Sequence, residues 1–184
     1  MKAKQKLNNR KGFTLTEMLA AMLILLMVSS IVAAGIPVAK NAYDKAVDAA
    51  NAHVLLSTAV NALRNELDKA DEIEISAEAG ADGKVLTFYS ERTNAKSKIY
   101  LDATSKEIML QEYVGFEDYT DGVSVPERRL VTRQASTSDL YVTYGSVAYD
   151  EANGLVTVTG LAVKNASRTV TTLDSLVIRV ITAA

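Results

Sequence analysis

Glu17 is the residue in this chain whose position most needs a chemical explanation. It directly precedes 22 residues without a charged side chain, from Met18 to Ala39. A carboxylate at the centre of a membrane helix costs about 2.5–3.5 kcal/mol on insertion scales, and less near the end of the helix. An ionisable residue in such a place is a functional candidate by default. The alternative for Glu17 is an ordinary interfacial charge at a helix end.

The other residue types exclude most kinds of site chemistry. The chain of 184 residues has no Cys, which excludes a disulfide framework, a thiolate metal site and a cysteine nucleophile. His53 is the single histidine, and nothing in the sequence places it outside a long helix, so a catalytic triad is not supported. No glycine-rich phosphate loop is present, and no pair of carboxylates can be singled out. We therefore predict no catalytic residue, no cofactor, no metal site and no enzymatic activity.

Several polar segments of the C-terminal part have ordinary explanations. The segments 118–122 and 150–154 are acidic, but they lack the Asp-x-Asp-x-Asp-Gly spacing of a calcium loop, so turn chemistry explains them. Asn165-Ala166-Ser167 matches a glycosylation sequon, a pattern that is common by chance. The irregular stretch from Gly115 to Glu127 is the best candidate for a surface binding loop, because loops bind ligands more often than the scaffold does.

The charge balance disfavours nucleic acid as a partner. The full chain has a net charge of −2, and removal of the five basic residues within residues 1–12 leaves 15 basic and 22 acidic residues, a net charge of −7. Residues 71–184 alone contain 11 basic and 17 acidic residues. Nucleic-acid binding favours a basic face. One basic cluster is therefore explained better as a charged edge strand than as a DNA or lipid patch: Arg128, Arg129 and Arg133.

The segment that contains Glu17 has the properties of a membrane span. At 1.5 Å per residue, residues 18–39 form about 33 Å of helix, and a hydrocarbon core is about 30 Å thick. The basic residues on the N-terminal flank place that flank in the cytoplasm. No second apolar run of this length follows, so we expect the rest of the chain outside the membrane. A cleavable secretory signal has a shorter apolar region of about 7–15 residues; a plain signal anchor stays an alternative.

The junction before the apolar run resembles the class III signal of type IV prepilins and pseudopilins. The family pattern is a short basic leader, a Gly, an aromatic residue or Met, a Glu four residues later, and an apolar helix. Gly12, Phe13 and Glu17 occupy the matching positions in this sequence. The resemblance implies cleavage by a prepilin peptidase between Gly12 and Phe13 and methylation of the new amino group on Phe13. It also implies that Glu17 pairs with the amino terminus of a neighbouring subunit and sets the register of assembly.

The resemblance further implies a structural subunit of a type IV pilus or related filament, with a minor pilin as the preferred case. The implied partners are other pilin subunits, the prepilin peptidase, the membrane assembly platform and, before assembly, the lipid bilayer. The chain would first lie in the cytoplasmic membrane with its head outside, and later in a pilus at the cell surface. In having no Cys, the chain resembles those branches of the family that lack a C-terminal disulfide, many of them Gram-positive. The alternatives are a pseudopilin for type II secretion or DNA uptake, and a signal-anchored binding domain that does not assemble.

The helical pattern continues beyond the apolar run. We predict one helix over residues 13–70, with a transmembrane part at about 18–39 and an amphipathic part that packs on a head. Gly35 and Pro37 interrupt the apolar run and predict a kink, because proline removes a backbone hydrogen bond and clashes with the preceding turn. The predicted packing face recurs at steps of three, four or five residues: Tyr43, Val47, Ala50, Val54, Ala59, Leu63, Leu67 and Ala70.

From Asp71 onward the pattern changes to short alternating segments, which are typical of strands. Asp102 to Lys106 and Asn153-Gly154 are predicted turns between strands, and short connections favour antiparallel pairing. We therefore predict an α+β protein with three parts: a leader at 1–12, the helix at 13–70 and a β-rich head at 71–184. The predicted strands are 72–75, 85–89, 99–101, 108–111, 140–144, 147–149, 155–159 and 176–180.

Overall fold

The computed structural model describes residues 12–78, 81–113, 127–131 and 140–181. Within these ranges, one helix precedes nine strands. The chain divides into a first unit that ends at Lys45 and a second unit that begins at Ala46. The elements are α1 (Leu15–Leu67), β1 (Ala70–Ala77), β2 (Lys84–Ser90), β3 (Ala95–Leu101), β4 (Ile108–Tyr113), β5 (Glu127–Arg129), β6 (Tyr141–Thr143), β7 (Ser146–Asp150), β8 (Leu155–Lys164) and β9 (Thr169–Arg179).

The strands form two antiparallel sheets. The first sheet has the order β1-β2-β3-β4-β5, so each strand pairs with its neighbour in the chain. In the second sheet β8 is central: β9 pairs with one of its sides, and β7 and then β6 pair with the other. The predicted α+β class with antiparallel sheets is confirmed, and the division into two sheets was not predicted.

The eight predicted strands coincide with β1 to β4 and β6 to β9, although all of them except β6 are longer than predicted. β9 begins seven residues before the predicted residue Leu176. Its predicted core face is confirmed, because Leu176, Ile178 and Val180 are buried and Arg179 is exposed. Both predicted turns lie between strands, with Asn153-Gly154 joining β7 to β8.

The second unit contains one hydrophobic core to which the end of α1 and both sheets contribute. Ala52, Leu55, Ala59, Leu63 and Leu67 form the buried face of the helix. The sheets contribute aliphatic and aromatic residues, among them Phe88, Ile99, Leu110, Val156, Leu161 and Ile178.

The predicted packing face of α1 is correct only in its second half. Tyr43 and Val54 are 69% and 58% exposed, and Ala50 is also exposed. The predicted step of five residues from Val54 to Ala59 turns the helix through about 500°, which leaves the two side chains about 140° apart. A face that contains Ala59 must therefore begin near Ala52.

The helix also ends earlier than predicted. Asp68 and Lys69 form a turn after Leu67, and the backbone N–H of Asp68 donates to the carbonyl of Arg64 (2.8 Å). Ala70 keeps the helical spacing and is buried, but it is the first residue of β1. The apolar spacing therefore continues past the end of α1 at Leu67, although the helical backbone conformation does not.

β8 changes its partner along one side. Residues 155–159 pair with β7, and residues 162–164 pair with β6. Gly160 lies between these stretches with a φ of 65°, a left-handed conformation that favours glycine. Gly145 lies between β6 and β7, and its N–H donates to the carbonyl of Thr159 (2.8 Å). A Cβ at Gly160 would lie 3.4 Å from the nitrogen of Gly145, so the close approach of the two backbones adds to the preference for glycine there.

Candidate functional site

The start of α1 is a capping box formed by Thr14 and Glu17. The Thr14 N–H donates to Oε2 of Glu17 (2.9 Å), and the Glu17 N–H donates to Oγ1 of Thr14 (3.3 Å). Such a reciprocal pair satisfies two backbone donors that the first helical turn leaves without partners. The Thr14 hydroxyl also donates to Oε2 of Glu17 (2.9 Å). Sequence reasoning placed Glu17 at this helix end but missed its capping role, which the T-x-x-E spacing could have revealed.

One carboxylate oxygen of Glu17 is left available by this arrangement. The bonds from Thr14 all end on Oε2, and Oε1 has no hydrogen-bond partner within the described residues. The side chain is exposed at the end of the helix. Glu17 can therefore cap its own helix and accept from an external cation at the same time.

The predicted cleavage position lies immediately before the capping box. Phe13 is 81% exposed, and Gly12 and Phe13 precede the first helical residue, Leu15. A Cβ built on Gly12 would meet no atom within 4 Å, so the fold itself does not require glycine at this position. A requirement for glycine at position 12 would therefore come from a binding partner and not from packing within the chain.

The apolar part of α1 is exposed on every side. Its large side chains, from Met18 to Val38, are each more than half exposed, and none of them contributes to the core. A helix that is apolar all round is buried in a protein interior or in a membrane. Within the described residues α1 is the one helix long and apolar enough to cross a membrane, judged by length and composition.

The predicted kink residues lie inside a continuous helix. α1 includes both Gly35 and Pro37, and a Cβ on Gly35 would meet no atom within 4 Å. Seven residues before Pro37, the Ser30 hydroxyl donates to the carbonyl of Leu26 (2.8 Å), a bond that often bends a helix. A kink at Gly35 and Pro37 stays a prediction.

The remaining candidate residues do not gather into a site. His53 is exposed on α1, and the acidic turn at 150–154 is explained by its own bonds, since Asp150 accepts from the N–H of Ala152 and from Asn153 Nδ2. No group of three or more metal-ligating side chains occurs in the described part of the chain. The predicted loop 115–127, apart from Glu127, and the turn 118–122 lie outside the described residues.

The predicted charged edge strand is β5, which ends the first sheet. Arg128 contacts Glu66 (3.4 Å) and Glu112 (3.2 Å), and the neighbouring Arg129 forms an ion pair with Glu107. Both arginines are thus engaged with carboxylates of the same chain, and the third member of the cluster, Arg133, lies outside the described residues.

Sequence reasoning missed the buried carboxylate of Glu66. Its side chain is only 9% exposed, and it accepts from Arg92 on both oxygens (2.7 and 2.6 Å) as well as from Arg128. The sequence offered one signal: Glu66 lies three residues after Leu63, on the packing face of the helix, where an acid needs a cation.

These features first define the class of protein. The chain is an α+β protein in which the second half of one long N-terminal helix packs on antiparallel sheets, and the first half is exposed and apolar.

Comparison with known proteins then identifies the N-terminal segment. A family model described as the prokaryotic N-terminal methylation motif matches residues 7–33. Residues 7–33 thus contain the class III signal of type IV pilins, so the resemblance that Gly12, Phe13 and Glu17 indicated is confirmed for this segment. No curated protein and no solved structure matches the chain.

Proposed function

We propose that this protein is a structural subunit of a type IV pilus or pilin-like filament, most simply a minor pilin. The observation that supports this most strongly is the exposed apolar half of α1, most of which lies within the matched methylation motif. Apolar surface of this extent is unfavourable in water and is stabilised by burial against lipid or protein. A lipid bilayer buries this surface before assembly, and the matching helices of neighbouring subunits bury it in a filament.

Processing would prepare the chain for this assembly. A prepilin peptidase cuts between Gly12 and Phe13 at the cytoplasmic face and leaves the apolar helix in place. The amino group of Phe13 then becomes the new terminus and is methylated. Methylation leaves the amine basic, so the terminus still bears the positive charge that a carboxylate needs.

Glu17 would then select the register of assembly. A carboxylate surrounded by apolar helices is costly unless a cation pairs with it. Only a neighbour at the right stagger brings its Phe13 ammonium to Glu17. The free Oε1 supports this role, because Glu17 can accept from that ammonium without giving up the bonds to Thr14.

The role of Glu17 can be tested by separating its charge from its capping function. Gln fits a capping box as well as Glu does, so Glu17→Gln should keep the helix start and lose only the charge. We expect Glu17→Gln to reduce incorporation into sheared filaments at least about tenfold, which corresponds to about 1.4 kcal/mol. The matched control is Thr14→Val, which removes the hydroxyl of the cap and keeps the carboxylate.

The readout is the ratio of subunit in filaments to subunit in membranes, measured by quantitative mass spectrometry. The assignment predicts a large loss for Glu17→Gln and a small one for Thr14→Val. Normal incorporation of Glu17→Gln would remove the charge of Glu17 from the assembly mechanism.

A further inference from the structure

The membrane-exit end of the apolar helix contains two exposed residues, Lys40 and Tyr43. Lys40 is the first charged residue after the apolar run, and Tyr43 follows it by three positions. Residues three apart lie on the same side of a helix. Tyr43 is 69% exposed and lies outside the hydrophobic core. Within the described residues, no ion pair is formed by Lys40 or by Asp44, the acid four positions further on.

We propose that Lys40 and Tyr43 together form an interfacial anchor that binds the phosphate headgroups of the extracytoplasmic leaflet before the chain enters a filament. The inference rests on the proposed function, because that function places the first half of α1 across a membrane. The occupant of this surface is thus a lipid headgroup layer, whose negative phosphates complement the ammonium of Lys40.

The lengths agree with this placement. From Leu15 to Tyr43 there are 28 helical steps, about 42 Å along the axis, and a bilayer with its headgroup layers is about 40–45 Å thick. The uncharged residues between Glu17 and Lys40 span about 33 Å, slightly more than the hydrocarbon core of about 30 Å. With Tyr43 in one headgroup layer, Glu17 and Phe13 lie in the other. All of these residues belong to the first unit.

The chemistry of the two side chains suits that depth. Tyrosine is enriched at membrane interfaces because its ring is apolar and its hydroxyl is polar. Lysine extends its apolar stem along the hydrocarbon boundary and places its ammonium among the phosphates. Both side chains prefer the headgroup layer to either water or hydrocarbon, so together they resist movement of the helix in both directions.

A fixed depth has a consequence for the other end of the helix. It holds the Gly12–Phe13 bond at the cytoplasmic interface, where a protease can reach it, and keeps Glu17 out of the hydrocarbon core. Entry into a filament then requires the anchor to leave the headgroup layer. Lys40 and Tyr43 therefore act as positioning residues for processing.

A single tryptophan can report the depth, because the chain has no Trp of its own. The full chain with Tyr43→Trp is reconstituted in vesicles of phosphatidylcholine and phosphatidylglycerol, at a protein content low enough to keep copies apart. Lipids brominated near the headgroup or near the acyl end quench its fluorescence. Val28→Trp, within the apolar run, and Val54→Trp, on the part of α1 that belongs to the second unit, are the matched controls, since both positions are more than half exposed.

We expect the shallow bromolipid to quench Tyr43→Trp at least about twofold more than the deep one, because indole prefers the interface. Val28→Trp should show the opposite order, and Val54→Trp should be quenched by neither lipid. Absence of quenching at position 43, or stronger quenching by the deep lipid, would overturn the proposal. Adding Lys40→Glu to the Tyr43→Trp chain should weaken shallow quenching, and an unchanged value would overturn the assignment of Lys40.

The quenching experiment tests the anchor, and a separate measurement tests the proposed function. The intact mass of the chain in its native membrane reports cleavage after Gly12, and it is measured independently of the quenching at position 43. An uncleaved chain with a shallow Tyr43 would reject the processing step and keep the anchor, whereas a cleaved chain with an unquenched position 43 would reject the anchor alone.

Discussion

At the scale of single residues, buried carboxylates tie distant parts of the second unit together. Glu66 on α1 accepts from Arg92 in the β2–β3 turn and from Arg128 on β5. Arg129, the neighbour of Arg128 on β5, forms an ion pair with Glu107, which is also buried. Neighbouring residues of a strand point to opposite faces. The two arginines therefore hold the edge strand β5 from both faces of its sheet.

Loss of the Glu66 charge should destabilise the second unit. Hydrogen bonds to charged groups contribute about 1.5–3 kcal/mol, but both arginines are half exposed, and water compensates part of the loss. We expect Glu66→Gln to lower the free energy of unfolding by about 1–2 kcal/mol in urea titrations of the full chain in detergent. The control Glu91→Gln changes an exposed acid and should stay within about 0.5 kcal/mol. Equal stability of the two variants would show that the ion pairs contribute nothing.

The turn between β3 and β4 provides a second prediction at the scale of single residues. The backbone N–H of Ser105 donates to the carboxylate of Asp102, and this bond, with the N–H of Thr104, holds the pKa of Asp102 below its usual range. A lowered pKa in the folded state stabilises the fold at pH above the unfolded pKa, and the contribution is lost as pH falls through the folded value.

Asp102→Asn should therefore lower the unfolding temperature at neutral pH, and the difference from the parent chain should shrink as the solution is acidified below pH about 4, the usual pKa of Asp. Thermal unfolding followed by circular dichroism over a series of pH values measures this. A difference that stays constant with pH would mean that the carboxylate charge has no part in stabilising the turn.

At the scale of elements, the change of pairing partner along β8 coincides with one unusual backbone conformation. Gly160 adopts a left-handed φ between the stretch of β8 that pairs with β7 and the stretch that pairs with β6. The left-handed region costs other L-residues about 1–2 kcal/mol, and a Cβ here would also crowd the backbone of Gly145.

Gly160→Ala should thus lower the free energy of unfolding by about 1–3 kcal/mol, measured by urea titration of the full chain. Gly35→Ala is the matched control, because it lies in α1 with no atom within 4 Å of the added Cβ, and alanine favours helix over glycine. A Gly160→Ala chain as stable as the control would show that β8 tolerates an ordinary residue where its partner changes.

How far the sequence predicts the structure also depends on the element. Helix and strand positions follow from local periodicity, so α1 and eight strands were predicted. The split into two sheets was not predicted, because local periodicity does not tell which strands pair; β6, for example, pairs with β8 and not with its neighbour β7. The candidate site shows the same division: Gly12, Phe13 and Glu17 lie within six positions and were found from spacing, whereas Glu66 meets its partners 26 and 62 residues away.

At the scale of the whole molecule, the two units differ in the surface that each presents. The first unit presents apolar helix and a capped carboxylate, and the second unit buries its apolar residues in a core of its own. This division fits the proposed filament subunit, which would remain in a membrane as a monomer and assemble through its helix.

The central claim is that the chain is processed as a prepilin before it assembles. The most direct measurement is the intact mass and N-terminal sequence of the protein isolated from its native membrane. We predict a chain that begins at Phe13 with a methylated amino group and lacks residues 1–12. A mature chain that still begins at Met1 would contradict this claim, because Phe13 would then provide no amino terminus for Glu17, and the protein would be a membrane-anchored surface domain.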